Sequence, residues 1–341
     1  MIALAFTVVA VMLGIYVLLD GYDLGVGAIH LFVARDDSQR AATIESIGPV
    51  WNGNEVWLIA AGGSLFALFP QVYASSFSGF YLPFMVLLWL LMFRGIALEL
   101  RGHYQSDLWR GFFDVAFTIS SALLILLLGV ALGNVVRGVP LDAAHYFAGT
   151  FGFLLNPYAL GVGILAVLAL AQHGAAWVAM QVVGPPAERA KRAIQVVWPL
   201  VLTLAVVLTV ATFRVHSPVS NLRAMPWIAI APIASIIGLV GVAFFREQPR
   251  RVFQASTLFL AGMLASAAVT LYPYLLPGFP SATTGLSAFS KPPSSLALET
   301  TLSVFILGLV IVGIYRTFVV RRIGVAVKIG SGAVGAKNEP S

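Results

Sequence analysis

The chain has 341 residues, of which 59% are hydrophobic and only 10% charged, with a mean hydropathy of +0.93, an apolar share above that of a water-soluble domain. It contains no cysteine, which excludes disulfides, thiolate metal sites and a cysteine nucleophile. The net charge of +6 is scattered between apolar blocks and forms no basic stripe, so nucleic acid is not an expected partner and the positive charge reads as topological.

A bilayer core about 30 Å thick is crossed by roughly 20 apolar residues of helix. In chain order nine segments meet that length, at approximately 2–32, 47–69, 74–98, 113–135, 158–182, 193–213, 227–245, 252–276 and 296–319. The expected fold is therefore an all-α integral membrane protein, a single polytopic domain over residues 1–323 with a flexible cytoplasmic tail, 324–341. Met1 runs directly into apolar sequence without a basic region or a small-residue cleavage site, so the first segment is expected to remain in the protein.

The first segment holds two carboxylates, Asp20 and Asp23, three residues apart and so on one helical face. Intramembrane charge is costly and marks either a functional site or a charge partner. Gly21 and Gly25 form a small-xxx-small pair that admits a second helix at close range, and the expected occupant is the helix carrying Glu55. The second segment opens on "PVWNGNEVW", placing Trp51, Asn52, Gly53, Asn54, Glu55 and Trp57 near its inner half. If the first helix ends near Ala34 and the second begins near Glu45, Asp23 lies roughly 16 Å deep and Glu55 roughly 15 Å deep at 1.5 Å per residue. Arg94 falls near the inner end of the third segment and Glu99 at its cytoplasmic boundary. This arrangement suits a polar path open to the cytoplasm, since buried carboxylates take and release protons near neutral pH. An ion pair that merely locks the helices, with Arg94 neutralising one carboxylate, fits the same residues.

His30 and His173 are the two histidines inside predicted helices. Axial histidine is a usual haem ligand, but one histidine on each of two helices falls short of the repeated pattern of a haem-bearing bundle, and hydrogen-bonded core histidines are the favoured reading. The longest linkers, 137–156 and 278–295, are expected on the outer face. With the N-terminus outside and nine crossings, 16 of the 20 lysines and arginines fall on the cytoplasmic side, among them Arg35, Arg40, Arg101, Arg110, Arg189 and Arg250. The C-terminus is then cytoplasmic.

Taken together, "DGYDLGVGAIHLF", "RDDSQR", "IGPVWNGNEVWLIAAGGSLFALFPQVYASSFSGFYLP" and "FRGIALELRG" resemble subunit II of the cytochrome bd quinol oxidases, including the cyanide-insensitive branch. Looser likenesses follow in "LLNPYAL", "LYPYLLP" and "SSLALETTLSVF". The resemblance implies a bacterial cytoplasmic-membrane heterodimer whose subunit I carries the quinol site, two haems b and one haem d, and reduces oxygen to water. Subunit II would have nine helices in two four-helix bundles plus one peripheral helix, and no haem ligand of its own. It would support assembly of the haem site and contribute to proton uptake; some members hold a structural quinone, and small accessory membrane chains are further partners. By the same resemblance Asp20 and Asp23 match the acidic pair of the family's first helix, and Trp51, Gly53, Asn54 and Trp57 match its second. Asn52 departs from it: many members carry Asp there, an amide does not shuttle a proton in the same way, and Glu55 is the candidate substitute. The competing classes are a secondary transporter with an acidic ion-binding cluster and a stand-alone b-type cytochrome using His30 and His173.

Overall fold

The computed structural model describes residues 2–290, 292, 294–323 and 327–328. Its helices are α1 (Ile2–Val33), α2 (Asp37–Glu45), α3 (Trp51–Leu68), α4 (Pro70–Gly79), α5 (Tyr81–Leu100), α6 (Asp107–Arg137), α7 (Phe151–Leu154), α8 (Pro157–Gln181), α9 (Pro185–Val215), α10 (Val219–Ala224), α11 (Ile230–Phe244), α12 (Pro249–Leu271) and α13 (Ser295–Ile323). Short strands β1 (Val182–Val183) and β4 (Val327–Lys328) pair in parallel, and β2 (Tyr274–Leu276) pairs with β3 (Leu286–Ser287) antiparallel. The expectation of a flexible tail over 324–341 lies outside the described residues apart from that β4 pairing.

Each of the nine predicted segments contains a helix, and seven helices are long and apolar enough to cross a bilayer: α1, α5, α6, α8, α9, the Pro226–Phe244 unit ending in α11, and α12. The polar opening of α3, with Asn52, Asn54 and Glu55, dilutes its 18 residues. The described apolar run of α13, Ser295–Ile311, is also short.

Prolines explain most boundary differences. The predicted third segment began at Ala74, but the chain closes α4 at Gly79 and restarts at Tyr81, because Pro83 in the first turn of α5 crowds the carbonyl four residues before it. The predicted eighth segment ran to Leu276. The helix instead stops at Leu271, because Pro273 disfavours helical geometry at Tyr272, and residues 274–276 form β2. In the opposite direction α9 starts at Pro185 rather than near Ala193. Its charged first turns, including the Glu188–Lys191 pair at 2.7 Å, are helical but carry no hydropathy signal.

The long helices pack in two sets, α1, α3, α5 and α6 in one and α8, α9, α11 and α12 in the other, with α1 and α6 both lying against α8. In hydrocarbon there is little hydrophobic drive between helices, so close backbone approach through small residues has to supply the packing. A Cβ on Gly25 would fall on the Leu170 carbonyl oxygen, and one on Gly174 would fall on the Gly25 backbone. One on Gly129 would lie 2.7 Å from the Gly163 Cα. Gly21 and Gly25 therefore receive α8 and not α3, which corrects the occupant expected from the sequence: α8 carries the matching glycine, whereas α3 meets α1 through Asn54 and Trp57. The two long linkers bind one another, with Val139 N donating to Pro277 O and Phe279 N to Val139 O, both at 3.0 Å.

Candidate functional site

Two polar clusters occupy the α1, α3, α5 and α6 set. The upper one is built on Asp20 and Asp23, both fully buried. From α5, Arg94 donates through Nη1 to Asp20 Oδ2 at 3.0 Å and through Nη2 to Asp20 Oδ1 at 2.5 Å, the parallel two-bond geometry in which arginine matches a carboxylate best. Trp51, also buried, lies 5.8 Å from the guanidinium carbon on its ring face. Taking both charges out of water costs several kcal/mol each, and only the paired geometry compensates.

Asp23 is held from α3: Asn54 Nδ2 donates to its Oδ2 at 2.7 Å and to the Tyr22 hydroxyl oxygen at 2.7 Å. The depth match between the first and second predicted segments thus brings α3 to Asp23, but the residue that touches it is Asn54. Glu55, one position and about 100° further round the helix, is half-buried and within electrostatic reach of Arg94 and Asp20. Trp57 is buried among Val8, Met12, Tyr16 and Ala61.

Three predicted residues are not brought into this cluster. Asn52 and Gly53 are exposed, and a Cβ on Gly53 would meet nothing within 4 Å. Glu99 is exposed as well and makes no ion pair among the described residues, contrary to its expected role as a charge partner. It lies five positions beyond Arg94, some 140° round the helix, and so faces away from Asp20.

The lower cluster was not anticipated. Its hub is Asp114, buried near the start of α6. Arg101 donates to it through Nε at 2.6 Å and Nη2 at 3.2 Å, Arg40 through Nη1 at 3.3 Å, and His30 Nε2 lies 2.9 Å from Oδ1. Arg101 also reaches Asp37 at 2.7 Å, and Arg110 closes on Asp37 at 2.6 Å. Asp114 escaped notice because the predicted fourth segment began at Phe113, which made the carboxylate look like an interfacial end residue. The missed signal was Asp114 just inside an apolar run, with Arg101 and Arg110 nearby in sequence.

The two histidines belong to separate hydrogen-bond networks. His30 Nδ1 is 2.9 Å from the Thr43 hydroxyl while Nε2 faces Asp114. His173 Nδ1 is 2.7 Å from the Ser256 hydroxyl, its Nε2 is 3.3 Å from the Leu18 carbonyl, and its ring stacks on Phe253 with centroids 4.7 Å apart. Both nitrogens of each ring are engaged, so this donor set does not fit axial ligation of a haem iron.

Comparison with known proteins gives this arrangement a setting. A profile of the family described as "Cytochrome bd terminal oxidase subunit II" matches residues 1–323. The chain is 31% identical over 324 residues to the cytochrome bd-I ubiquinol oxidase subunit 2 of Escherichia coli K12, covering 85% of this chain and 86% of that protein. It is 31% identical over 243 residues to the cytochrome bd ubiquinol oxidase subunit 2 of Bacillus subtilis, covering 71% and 72%. Among solved structures it resembles the bd oxidase from Geobacillus thermodenitrificans with a TM-score of 0.75 at 20% identity, over 93% of this chain and 97% of that one, a likeness of fold. With its full described helical core inside that match, this chain belongs to the cytochrome bd terminal oxidase subunit II family.

Proposed function

We propose that this chain is the haem-free subunit of a quinol-oxidising bd-type complex, that it pairs with a haem-bearing subunit I, and that Asp23 and Glu55 line a proton-uptake path from the cytoplasm, with Asp20 and Arg94 as its structural frame and the exposed Asn52 outside it. Membership in the family makes the chain a subunit of an oxidoreductase complex, multi-pass in the bacterial cytoplasmic membrane. The observation that carries the proton reading is a division of labour between two carboxylates one helical turn apart. Asp20 is neutralised by a two-bond ion pair, whereas Asp23 accepts from a neutral amide. Protonating Asp20 would break both bonds of its buried pair with Arg94, whereas a proton on Asp23, which shares the field of Arg94, leaves that pair intact.

The occupied ring nitrogens of His30 and His173 support placing the haems in the partner chain, where quinol oxidation and oxygen reduction would take place. Nine crossings follow if α3 and α13 also span the bilayer, and the bias of lysine and arginine then sets the N-terminus outside. This orientation puts α2 and its Arg40 in the cytoplasm. Protons drawn from that side then meet the lower cluster before Asp23.

The test is Glu55→Gln in the assembled complex. Quinol-driven oxygen consumption and the accompanying charge movement are expected to slow by about tenfold or more, the scale of losing one positioned proton-transfer group. Haem content should be unchanged. Turnover equal to that of the unmodified complex would remove Glu55 from the path. Co-purification of this chain with a haem-bearing membrane subunit, and no haem absorption from this chain purified alone, tests the assignment of partners.

A further inference from the structure

His30 is buried with 0% exposure, and its two nitrogens are held differently. Asp114 already accepts from Arg101 and Arg40, so it is ionised and acts as an acceptor only, and His30 Nε2 must carry a hydrogen to bond with it. Nδ1 faces the Thr43 hydroxyl at 2.9 Å, and that hydroxyl lies 2.8 Å from the Arg40 carbonyl oxygen. A hydroxyl has one hydrogen and cannot donate to both. Two complete arrangements therefore exist. In the neutral ring Thr43 donates to Nδ1; in the imidazolium Nδ1–H donates to the Thr43 oxygen, and the hydroxyl hydrogen turns to the Arg40 carbonyl. Each state satisfies the histidine, and they differ by one proton at Nδ1, on the side of α2.

From this we infer that His30 is a pH switch at the cytoplasmic mouth of the proton path, changing charge at Nδ1 with the Thr43 hydroxyl as its toggle. It is a switch rather than a carrier, because Nε2 is fixed to an ionised carboxylate in both states and cannot pass its proton inward. The groups facing it are Arg40, Asp37 and Thr43 from α2, Asp114 and Arg110 from α6, and Arg101 beyond the end of α5. Phe117 presents its ring edge-on at 5.5 Å, α8 brings no charged side chain apart from His173, and Arg189 of α9 is engaged with the Val33 carbonyl. Asp23 lies seven residues back along α1, about 10 Å away on nearly the same face. A positive charge on His30 at that distance favours the ionised carboxylate and so opposes loading of Asp23. Acidification of the cytoplasm thus restrains loading of the path.

The inference rests on the proton-uptake reading, and the experiment separates the two. Oxygen consumption by the purified complex is followed from acid to alkaline pH for the unmodified protein, H30Q and E55Q, with haem content measured in parallel. H30Q keeps a donor for Asp114 and an acceptor for Thr43 but does not titrate. One ionisation on the acid side is expected to vanish in H30Q, raising relative turnover there several-fold, while E55Q is slow at every pH. Superimposable profiles for H30Q and the unmodified complex, with E55Q slow, overturn the switch alone. E55Q at full rate overturns the path reading, and the switch with it. Should H30Q lose haem, Thr43→Val takes its place: it removes the acceptor that the imidazolium needs, so the ionisation is expected to move to lower pH, and an unmoved profile overturns the switch.

Discussion

At the scale of single residues, the Asp20–Arg94 pair couples stability to assembly. Both side chains have 0% exposure, so neither charge has recourse to water when its partner is removed. Arg94→Met should leave a buried carboxylate and cost about 3–5 kcal/mol, whereas Asp20→Asn combined with Arg94→Met should cost less than the single change, because no uncompensated charge remains. Thermal stability of the purified complex, together with its yield of bound haem, measures both; a double variant weaker than Arg94→Met would contradict the pairing. Asp20, Asp23 and Arg94 were legible in the sequence because a charge in an apolar run stands out by contrast. The identity of Asp23's partner was not. Depth arithmetic matches turns of helix but not faces, and Asn54 and Glu55 are consecutive residues about 100° apart round the helix. Asp114 and Arg101 were hidden by the opposite effect: close to a helix end, charges that bind one another look the same as charges that only mark topology.

At the scale of elements, the crossing of α1 and α8 is set by Gly25 and Gly174, whose backbones touch. Gly25→Val has no flexible side chain to displace, since the obstruction is the Leu170 carbonyl and the Gly174 backbone, so the helices must separate. The loss should exceed the 1–3 kcal/mol usual for overpacking and appear as failure to accumulate folded protein. Gly53→Ala on α3 meets open space and should leave folding unaffected, which is the control. The small-xxx-small pattern was readable, but its partner helix was not, because the pattern announces a close approach without naming who approaches. The short helix α2 offers a test by pH. Its N-cap is Asp36, which accepts from Gln39 N at 2.9 Å and from the Ser38 hydroxyl at 2.6 Å, and these bonds hold its carboxyl below the ordinary range. A depressed carboxyl contributes stability that is present above its unfolded value and is lost as pH falls through its folded value. Protection of the α2 amides, taken as exchange relative to the intrinsic rate at each pH, should therefore fall as acid approaches and passes that lower value, and Asp36→Ala should be less protected at neutral pH and lose the acid dependence.

At the scale of the whole molecule, the surface is what distinguishes this chain from a soluble helical protein. Ile59, Trp89, Phe244 and Ile314 are all more than half exposed, and long apolar faces run along α3, α5 and α11. A face of this size needs lipid or a partner subunit to cover it. The seven strongly apolar helices leave the count of crossings resting on α3 and α13, and orientation resting on charge bias. The absence of cysteine makes both open to direct measurement, because any introduced thiol is the only one in the chain. Ala41 is exposed on α2, and Ala143 is exposed in the linker after α6. With the N-terminus outside, Ala143→Cys should react with a membrane-impermeant maleimide in intact cells whose outer barrier has been opened, and Ala41→Cys should react only after the cytoplasmic membrane is permeabilised. Nine crossings place the two ends of the chain on opposite sides, so Ser341→Cys should behave as Ala41→Cys does. Labelling of Ser341→Cys from outside would mean an even number of crossings, and the first element to lose its place would be α13, which packs chiefly on α3. Labelling of Ala41→Cys from outside would invert the whole molecule and set the His30–Asp114 cluster on the side from which no proton is drawn.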